Sequence, residues 1–210
     1  MPRRYRKRYR KNTTRRQVYK NKKKLELLSK AIEYKYFDKG FDNQDITTTG
    51  TSVCLNTVQL GDGVNNRTGN KVMSRRITIR GYLSNNQSGG TPQDCVVRVF
   101  VFRARDQNNQ EQTLNLLMNS VGVNGHLEDE HKHRFQILVD KTFAMDTSQH
   151  SLIPFYMTHK CKNVVTYNGN AGTFADLEDG AYYIAYVSTI ASAQDCPQIF
   201  WNMRYYFLDA

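Results

Sequence analysis

From about residue 31, the chain consists of short runs of β-branched and aromatic residues separated by stretches of Gly, Asn, Asp, Ser and Thr. Several runs alternate apolar and polar positions, which is the period of a half-buried β-strand. Ile77, Ile79 and Leu83 fall on one face of such a run, and Arg80 and Tyr82 fall on the other. The pattern predicts eight strands, at residues 31–37, 51–60, 71–84, 95–104, 134–144, 161–167, 181–190 and 199–208.

The segments between these strands carry the residues that favour turns, chiefly Gly, Asn, Asp and Pro. The longest segment, 105–133, contains Leu114, Leu117 and Met118 at helical spacing, which predicts one short surface helix. Because strands and helices do not alternate along the chain, the pattern indicates an all-β antiparallel fold. A sandwich, a jelly roll and a barrel all fit this pattern.

The first 24 residues differ from everything that follows. They contain 13 Lys or Arg, no acidic residue and too few apolar residues to form a core. Such a segment is predicted to stay disordered until a polyanion neutralises it. We therefore divide the chain into a disordered basic arm, 1–24, and a β domain, 25–210. A short helix over 22–33 is expected at the junction, since Leu25, Leu28 and Ile32 are spaced by three and four residues.

The remainder of the chain holds 17 basic residues against 19 acidic ones, so its net charge is −2. The net charge of the whole chain, +11, therefore comes entirely from the 13 cations of the arm. If all 13 arm cations neutralise phosphates of a single strand, binding has a logarithmic salt slope of about −9. Tyr5, Tyr9 and Tyr19 lie among the cations and are suited to stack on unpaired bases. A basic run of this kind also serves as a nuclear localisation signal. The predicted nucleic-acid-binding residues of the arm are Arg3, Arg4, Tyr5, Arg6, Lys7, Arg8, Tyr9, Arg10, Lys11, Arg15, Arg16, Lys20, Lys22, Lys23 and Lys24.

A second basic group surrounds the predicted strand 71–84. Arg67, Lys71, Arg76 and Arg80 are its candidate nucleic-acid contacts, and alternation places Arg76 and Arg80 on the exposed face with Tyr82. A solvated or salt-bridged strand face explains the same residues equally well.

No pattern of residues indicates catalysis, and we expect no enzyme activity, no cofactor and no metal. Phosphate-binding loops, nucleophile elbows and zinc-protease motifs are absent from the sequence. The four cysteines lack zinc-site spacing, which predicts buried, reduced thiols. The segment 126–133 is rich in His, Asp and Glu but fits a charged solvated loop better than an ion site. No apolar run reaches membrane-spanning length and no secretory signal opens the chain, so we expect a cytosolic or nuclear protein.

The sequence resembles the capsid proteins of small circular single-stranded DNA viruses, a group with geminivirus-, nanovirus- and circovirus-like members. The arm and the stretch 51–82 carry the resemblance, and 96–108 and 134–143 are similar as well. Within 51–82, the shared motif is represented by Gly61, Asp62, Gly63, Arg67, Gly69 and Lys71. The capsid proteins of plant satellite viruses with RNA genomes are also similar.

The resemblance implies a single eight-stranded jelly roll that self-assembles into an icosahedral T=1 shell of 60 copies. The arms would lie inside, package single-stranded nucleic acid, with DNA favoured over RNA, and direct import into the host nucleus. The loops 61–70, 105–133 and 168–180 would provide subunit contacts or a host-facing surface. The alternative is a cellular nucleic-acid-binding β protein with a basic tail, which would not assemble.

Overall fold

The computed structural model describes residues 16–24, 34–85, 91–107, 111–126, 128, 133–149 and 151–209. The chain divides into two units, Met1–Tyr34 and Lys35–Ala210. The strands of the second unit, in chain order, are β1 (Lys35–Asp45), β2 (Thr51–Cys54), β3 (Lys71–Ser84), β4 (Cys95–Ala104), β5 (Phe135–Met145), β6 (Leu152–Lys160), β7 (Val164–Tyr167), β8 (Leu177–Asp179), β9 (Ala181–Ser188) and β10 (Gln198–Asp209).

These strands form two antiparallel sheets. Sheet A has the order β1-β10-β3. The other edge of β3 pairs with β6 along most of its length and with β7 at its beginning, and β8 pairs with β7. Sheet B has the order β2-β9-β4-β5. Most strands that follow one another in the chain lie in opposite sheets, except β4 and β5, which pair in sheet B, and β6, β7 and β8, which all lie in sheet A. This is the connectivity of a jelly roll. The predicted all-β jelly-roll fold is confirmed.

The core lies between the two sheets. Tyr205 of sheet A and Tyr182 of sheet B are fully buried, with their ring centres 6.1 Å apart. The hydroxyl groups of Tyr205 and Ser74 lie 2.6 Å apart, so the buried phenol oxygen is not left without a partner. The core contains side chains from both sheets, among them Ile77, Ile79, Trp201, Met203, Phe207, Val97, Val99, Val101, Ile184 and Tyr186.

Most strand predictions agree with the structure to within a few residues, and β3 and β4 have the predicted bounds. The strand β6 was missed, although Phe155 and Met157 alternate with exposed residues along it. Pro154 explains the omission, because proline lacks the N–H that a central strand needs. Among the described strands, β3 alone pairs with β6, so β6 is an edge strand, where proline is tolerated.

Strand β1 lies further along the chain than predicted and includes charged and amide residues of low β propensity. Pairing with β10 along nearly its whole length holds it in the sheet. The register shifts between Phe41 and Gln44, and Asn43 adopts a positive φ of 58° there. Asparagine tolerates this backbone conformation better than most residues, which suits it to a β-bulge.

The predicted helix in segment 105–133 is present as α2 (Leu114–Leu117), but it covers sheet B rather than facing solvent. Phe102 and Tyr183, on the outer side of sheet B, are fully buried and their rings stack at 5.1 Å. Gln107 donates a hydrogen bond of 2.6 Å to the Tyr183 hydroxyl, and both end residues of α2 are buried. The segment therefore forms an apolar cover over this sheet.

Arg98 holds the far part of this cover in place. Its guanidinium donates two hydrogen bonds, of 3.0 and 2.7 Å, to the carboxylate of Asp140. It also donates to the backbone carbonyls of Val123 and Gly125, at 3.2 and 2.7 Å. The positive charge of Arg98 is thereby neutralised by Asp140, and its remaining N–H groups bind the cover.

In the first unit, residues 16–24 form a helix, which we call α1, whereas the sequence predicts no fixed structure for the arm. All nine residues are exposed, and five of them are Lys or Arg. A helix this short is marginal in water on its own. Of the predicted helix over 22–33, residues 22–24 belong to α1 and the others lie outside the described residues.

All four cysteines are buried and unpaired, as the sequence predicts. Burial raises the pKa of the Cys95 thiol to about 11, which keeps it protonated at neutral pH. No helix in the described part of the chain has both the length and the apolar character needed to span a membrane.

Candidate nucleic-acid interface

The outer side of sheet A carries a regular array of aromatic and basic side chains. The strand registers place opposed residues in four rows across β1, β10, β3 and β6. We call this array the open face. Its first row holds Tyr36, Tyr206, Arg76 and Lys160; its second Asp38, Arg204, Thr78 and Thr158; its third Gly40, Asn202, Arg80 and Tyr156; its fourth Phe200, Tyr82 and Pro154. Strand and residue spacings make the face about 14 Å wide and about 20 Å long.

Two groups of large side chains project from the open face on either side of a shallower central region. In the fourth row, the rings of Tyr82 and Phe200 stack with their centres 4.6 Å apart. In the first row, the Arg76 guanidinium lies 4.3 Å from the centre of the Tyr206 ring. Short polar residues such as Thr78 lie between the two groups, where the structure has a surface depression. The face therefore resembles a trough with aromatic and cationic walls.

The arginines of the open face differ in how far they are neutralised. Arg204 donates two hydrogen bonds of 2.7 Å to the carboxylate of Asp38, which raises the pKa of its guanidinium. Arg76 and Arg80 have no carboxylate partner among the described residues and rest against aromatic rings. Arginine that packs on an aromatic ring keeps N–H groups free to bind phosphate. The charge available to a ligand therefore comes mainly from Arg76, Arg80 and Lys160.

The first residue of the second unit is fixed beside this face. The Lys35 ammonium lies 2.8 Å from the carboxylate of Asp209 and donates a hydrogen bond of 3.1 Å to the carbonyl of Asn66. Asp209 also accepts a hydrogen bond from the Thr68 backbone N–H. Tyr36, the next residue, already belongs to the first row. Lys35, at the start of the second unit, is thus held at a corner of the open face.

Arg67 does not belong to this surface, and its assignment as a nucleic-acid contact is corrected here. Its side chain is fully buried and lies 4.2 Å from the centre of the Tyr167 ring. The guanidinium donates to the carbonyl groups of Val58, Gly69 and Gly169. Burial lowers the pKa of Arg67. Arg67 therefore joins the loops around 58–70 and 168–172 and is unavailable to a ligand.

The other predicted contacts fall into three groups. Arg76 and Arg80 are exposed on the open face, as alternation predicts. Lys71 is exposed at the beginning of β3, beyond a register shift that separates it from the four rows. Arg16, Lys20, Lys22, Lys23 and Lys24 are exposed on α1, and Arg3, Arg4, Tyr5, Arg6, Lys7, Arg8, Tyr9, Arg10, Lys11 and Arg15 lie outside the described residues.

The His-rich segment 126–133 is only partly described, at His126, Glu128 and His133. Within the described ranges, no group of three or more His, Cys, Asp or Glu side chains is arranged to hold a metal ion. The interpretation of this segment as a solvated loop stays a prediction.

Sequence reasoning found strands β3 and β10 of the open face but not that they are neighbours. The outward positions of β10, Arg204 and Tyr206, were visible in the alternation of residues 201–208. Their position beside Arg76 and Arg80 depends on the pairing of β10 with β3, which local patterns do not give. Tyr156 was missed together with strand β6.

Comparison of the sequence with models of known protein families identifies one matching family. The family model of the satellite tobacco necrosis virus coat protein matches residues 2–209. No curated protein sequence matches the chain.

Among solved structures, the chain resembles Desmodium yellow mottle tymovirus, with a TM-score of 0.37 and 10% identity over 85% of this chain and 87% of that one. It also resembles the 60-mer capsid protein of BFDV, with a TM-score of 0.30 and 10% identity over 84% and 91%. The comparison with latent PorU from Porphyromonas gingivalis gives a TM-score of 0.38 and 8% identity. The match covers 85% of this chain but only 13% of PorU. Because these TM-scores lie below 0.5, the argument rests on the family match.

The family match covers nearly the whole chain, including the arm, and agrees with the jelly-roll connectivity. A coat protein is a structural component of a virion and is present there in many copies. The more specific assignment to the single-stranded DNA viruses remains a prediction. The chain belongs to the satellite tobacco necrosis virus coat protein family.

Proposed function

We propose that this protein is the subunit of a small icosahedral shell of 60 copies and that it packages single-stranded nucleic acid through its basic arm. The observation that carries the proposal is the division of charge, with 13 cations in the first 24 residues and a net charge of −2 in the rest. Arms that repel one another oppose assembly, and a polyanion removes that repulsion. Packaging and assembly are therefore coupled, while the nearly neutral bodies pack side by side.

The tether at Lys35 supports a specific orientation in the shell. Lys35, where the second unit begins, lies at a corner of the open face, whereas the outer side of sheet B is covered by the chain itself. An arm that reaches inward to nucleic acid leaves the open face lining the interior. Arg76 and Arg80, with Lys71 nearby, then extend the cationic surface of the arm onto the body.

The arm is tested by comparing three proteins: the full chain, the chain without residues 1–24, and a chain whose first 24 residues are scrambled at constant composition. We expect the full and scrambled chains to form particles that contain nucleic acid. Their logarithmic salt slopes approach about −9. The truncated chain should remain folded and lose most of its nucleic acid. Small, stable oligomers of the full chain, free of nucleic acid at low salt, would refute the proposal.

We also propose that the packaged strand is DNA and that the arm directs import into the host nucleus. The first proposal rests on the resemblance to circular single-stranded DNA viruses, and the second on the dense basic run. Digesting the extracted nucleic acid with DNase or RNase tests the first. Fusing residues 1–24 to a fluorescent reporter tests the second, with the same segment carrying Gln at its basic positions as the control.

The alternative of a cellular, non-assembling nucleic-acid-binding protein predicts a monomer or dimer. Membership of a coat protein family favours the shell subunit instead. Electron microscopy of the purified full chain separates the two, since only the shell subunit forms closed particles.

A further inference from the structure

We infer that the open face is a stacking platform for unpaired bases, so that the body of the protein contacts the bases of a single strand as well as its phosphates. This inference rests on the proposed function and deepens it. Purely electrostatic binding requires cations alone, whereas this face combines cations with accessible aromatic rings.

The aromatic residues concerned are unusually exposed for their size. Tyr156 is 50% exposed and Tyr82 is 38% exposed, and they lie on neighbouring strands. Large aromatic side chains are normally buried more completely, because they lose the most by contact with water. The ring of Phe200 stacks against one side of the Tyr82 ring, with the ring centres 4.6 Å apart. The ring of Tyr82 is therefore held in place with a surface free for a ligand.

The cations lie where the phosphates of a stacked strand would run. Arg80 is opposite Tyr156 in the third row, and its guanidinium lies 5.5 Å from the centre of that ring. Arg76 follows on the same strand face, one row beyond Thr78. Single-strand-binding surfaces in general combine a cationic groove with aromatic rings on which successive bases stack. The open face offers both within about 20 Å.

A contact with a second copy of the chain is the competing use of this surface. The charge of the face argues against it, because Arg76, Arg80 and Lys160 have no carboxylate partner among the described residues and would need one from the neighbour. The body has only a small excess of acid, two charges, over its entire surface. A polyanion satisfies these cations more directly.

The test uses the full chain and two ligands: oligothymidylate, and an abasic oligomer with the same number of phosphates. The main variant is Tyr82→Leu/Tyr156→Leu, which keeps apolar bulk and removes both rings. The variant Tyr82→Phe/Tyr156→Phe keeps the rings. Phe174→Leu is the matched control, since Phe174 is 37% exposed but lies in a 3-10 helix outside the four strands.

We expect the wild type to bind oligothymidylate more tightly than the abasic oligomer. The leucine variant should reduce this preference about fivefold or more and leave abasic affinity unchanged. Some preference will remain, because the tyrosines of the arm are intact. The phenylalanine variant and Phe174→Leu should behave like the wild type. A leucine variant with an unchanged preference, or with a defect in assembly alone, would overturn the inference.

A second measurement does not depend on any variant. Oligomers that contain 5-bromouracil are crosslinked to the wild-type chain by light, and the crosslinked peptides are identified by mass spectrometry. We expect crosslinks within β3 and β6; crosslinks confined to the arm would contradict the inference. If the full chain binds neither oligomer, the proposed function itself fails. If it binds both equally, only the stacking inference fails.

Discussion

The outer surfaces of the two sheets of this jelly roll differ in how far they are exposed to solvent. Sheet B is covered by the chain, and even the aromatic residues on its outer side, such as Phe102 and Tyr183, are fully buried. Sheet A leaves Tyr82 and Tyr156 exposed beside Arg76 and Arg80, which have no carboxylate partner among the residues that the structure describes. Both outer faces thus carry arginine and aromatic residues, but only one is available to a ligand. The difference shows that residue composition alone does not distinguish a second core from a binding surface.

Removing apolar volume from the cover of sheet B should have the largest effect. Leu117 is 1% exposed, and Leu117→Ala should lower the free energy of unfolding by about 3 kcal/mol, since it leaves a cavity over the sheet. Leu152→Ala, at a 59% exposed position at the beginning of β6, should change it by less than about 0.5 kcal/mol. Urea denaturation measures both. Equal effects would mean that the segment is not an essential part of the fold.

The next effect separates two arginines that the sequence places in one cluster. Arg67→Met should cost about 2 kcal/mol, because the carbonyl groups of Val58, Gly69 and Gly169 lose their donor. The cost is moderated because methionine does not carry a charge that must be desolvated. Arg76→Met should be nearly neutral for stability. A stable Arg67→Met protein with weakened nucleic-acid binding would reverse our assignment of Arg67.

A smaller effect concerns the tether at the corner of the open face. Burial opposes ionisation of Asp209, but hydrogen bonds from Lys35 and Thr68 outweigh it, and the pKa lies below its ordinary value of 3.8. The ionised form therefore stabilises the fold above this pH, and the contribution is lost as the pH falls through the folded-state pKa. Asp209→Asn should cost about 0.5 to 1 kcal/mol at pH 7, as expected for a partly exposed ion pair.

The pH dependence provides the control for this prediction. Thermal denaturation of the wild type and Asp209→Asn should converge as the pH falls below the folded-state pKa of Asp209, where both carry a neutral side chain at this position. Asp62→Asn, an exposed loop substitution, should leave the free energy of unfolding at pH 7 within about 0.5 kcal/mol of the wild type. A constant difference between wild type and Asp209→Asn across this range would show that ionisation is irrelevant to the tether.

The smallest effect on stability should come from the open face. Arg76→Gln/Arg80→Gln should leave the free energy of unfolding within about 0.5 kcal/mol. The logarithmic salt slope for binding to a single strand should become less steep by about 1.4, since two phosphate contacts are lost. Arg105→Gln removes an exposed charge from the segment over sheet B and should leave the slope unchanged. If the double variant and Arg105→Gln change the salt slope by the same amount per arginine removed, the two faces do not differ in their binding of nucleic acid.

Local patterns were sufficient for most strands, since the alternation of Ile77, Ile79 and Leu83 fixes which side of β3 is buried. They failed where tertiary contacts decide. Every residue of β9 is buried, because the cover adds a second apolar environment to the one between the sheets. The burial of Arg67 likewise depends on carbonyl groups from a distant loop.

The candidate site was predictable only as a list of cations. Arg76, Arg80 and Tyr82 were placed on one exposed strand face by alternation alone. The aromatic partners Tyr206 and Tyr156 lie on β10 and β6, far from β3 along the chain. The order of strands in the sheet brings them together. The sequence contains the residues of the open face, and the topology makes them a surface.

Electron cryomicroscopy of particles assembled from the full chain and its nucleic acid tests the central claim most directly. Our account predicts a closed shell whose inner surface is formed by the open face, with density for nucleic acid against Arg76, Arg80 and Tyr82. The cover of sheet B should carry no such density. An open face that points outward, or that is buried between neighbouring subunits, would contradict the account.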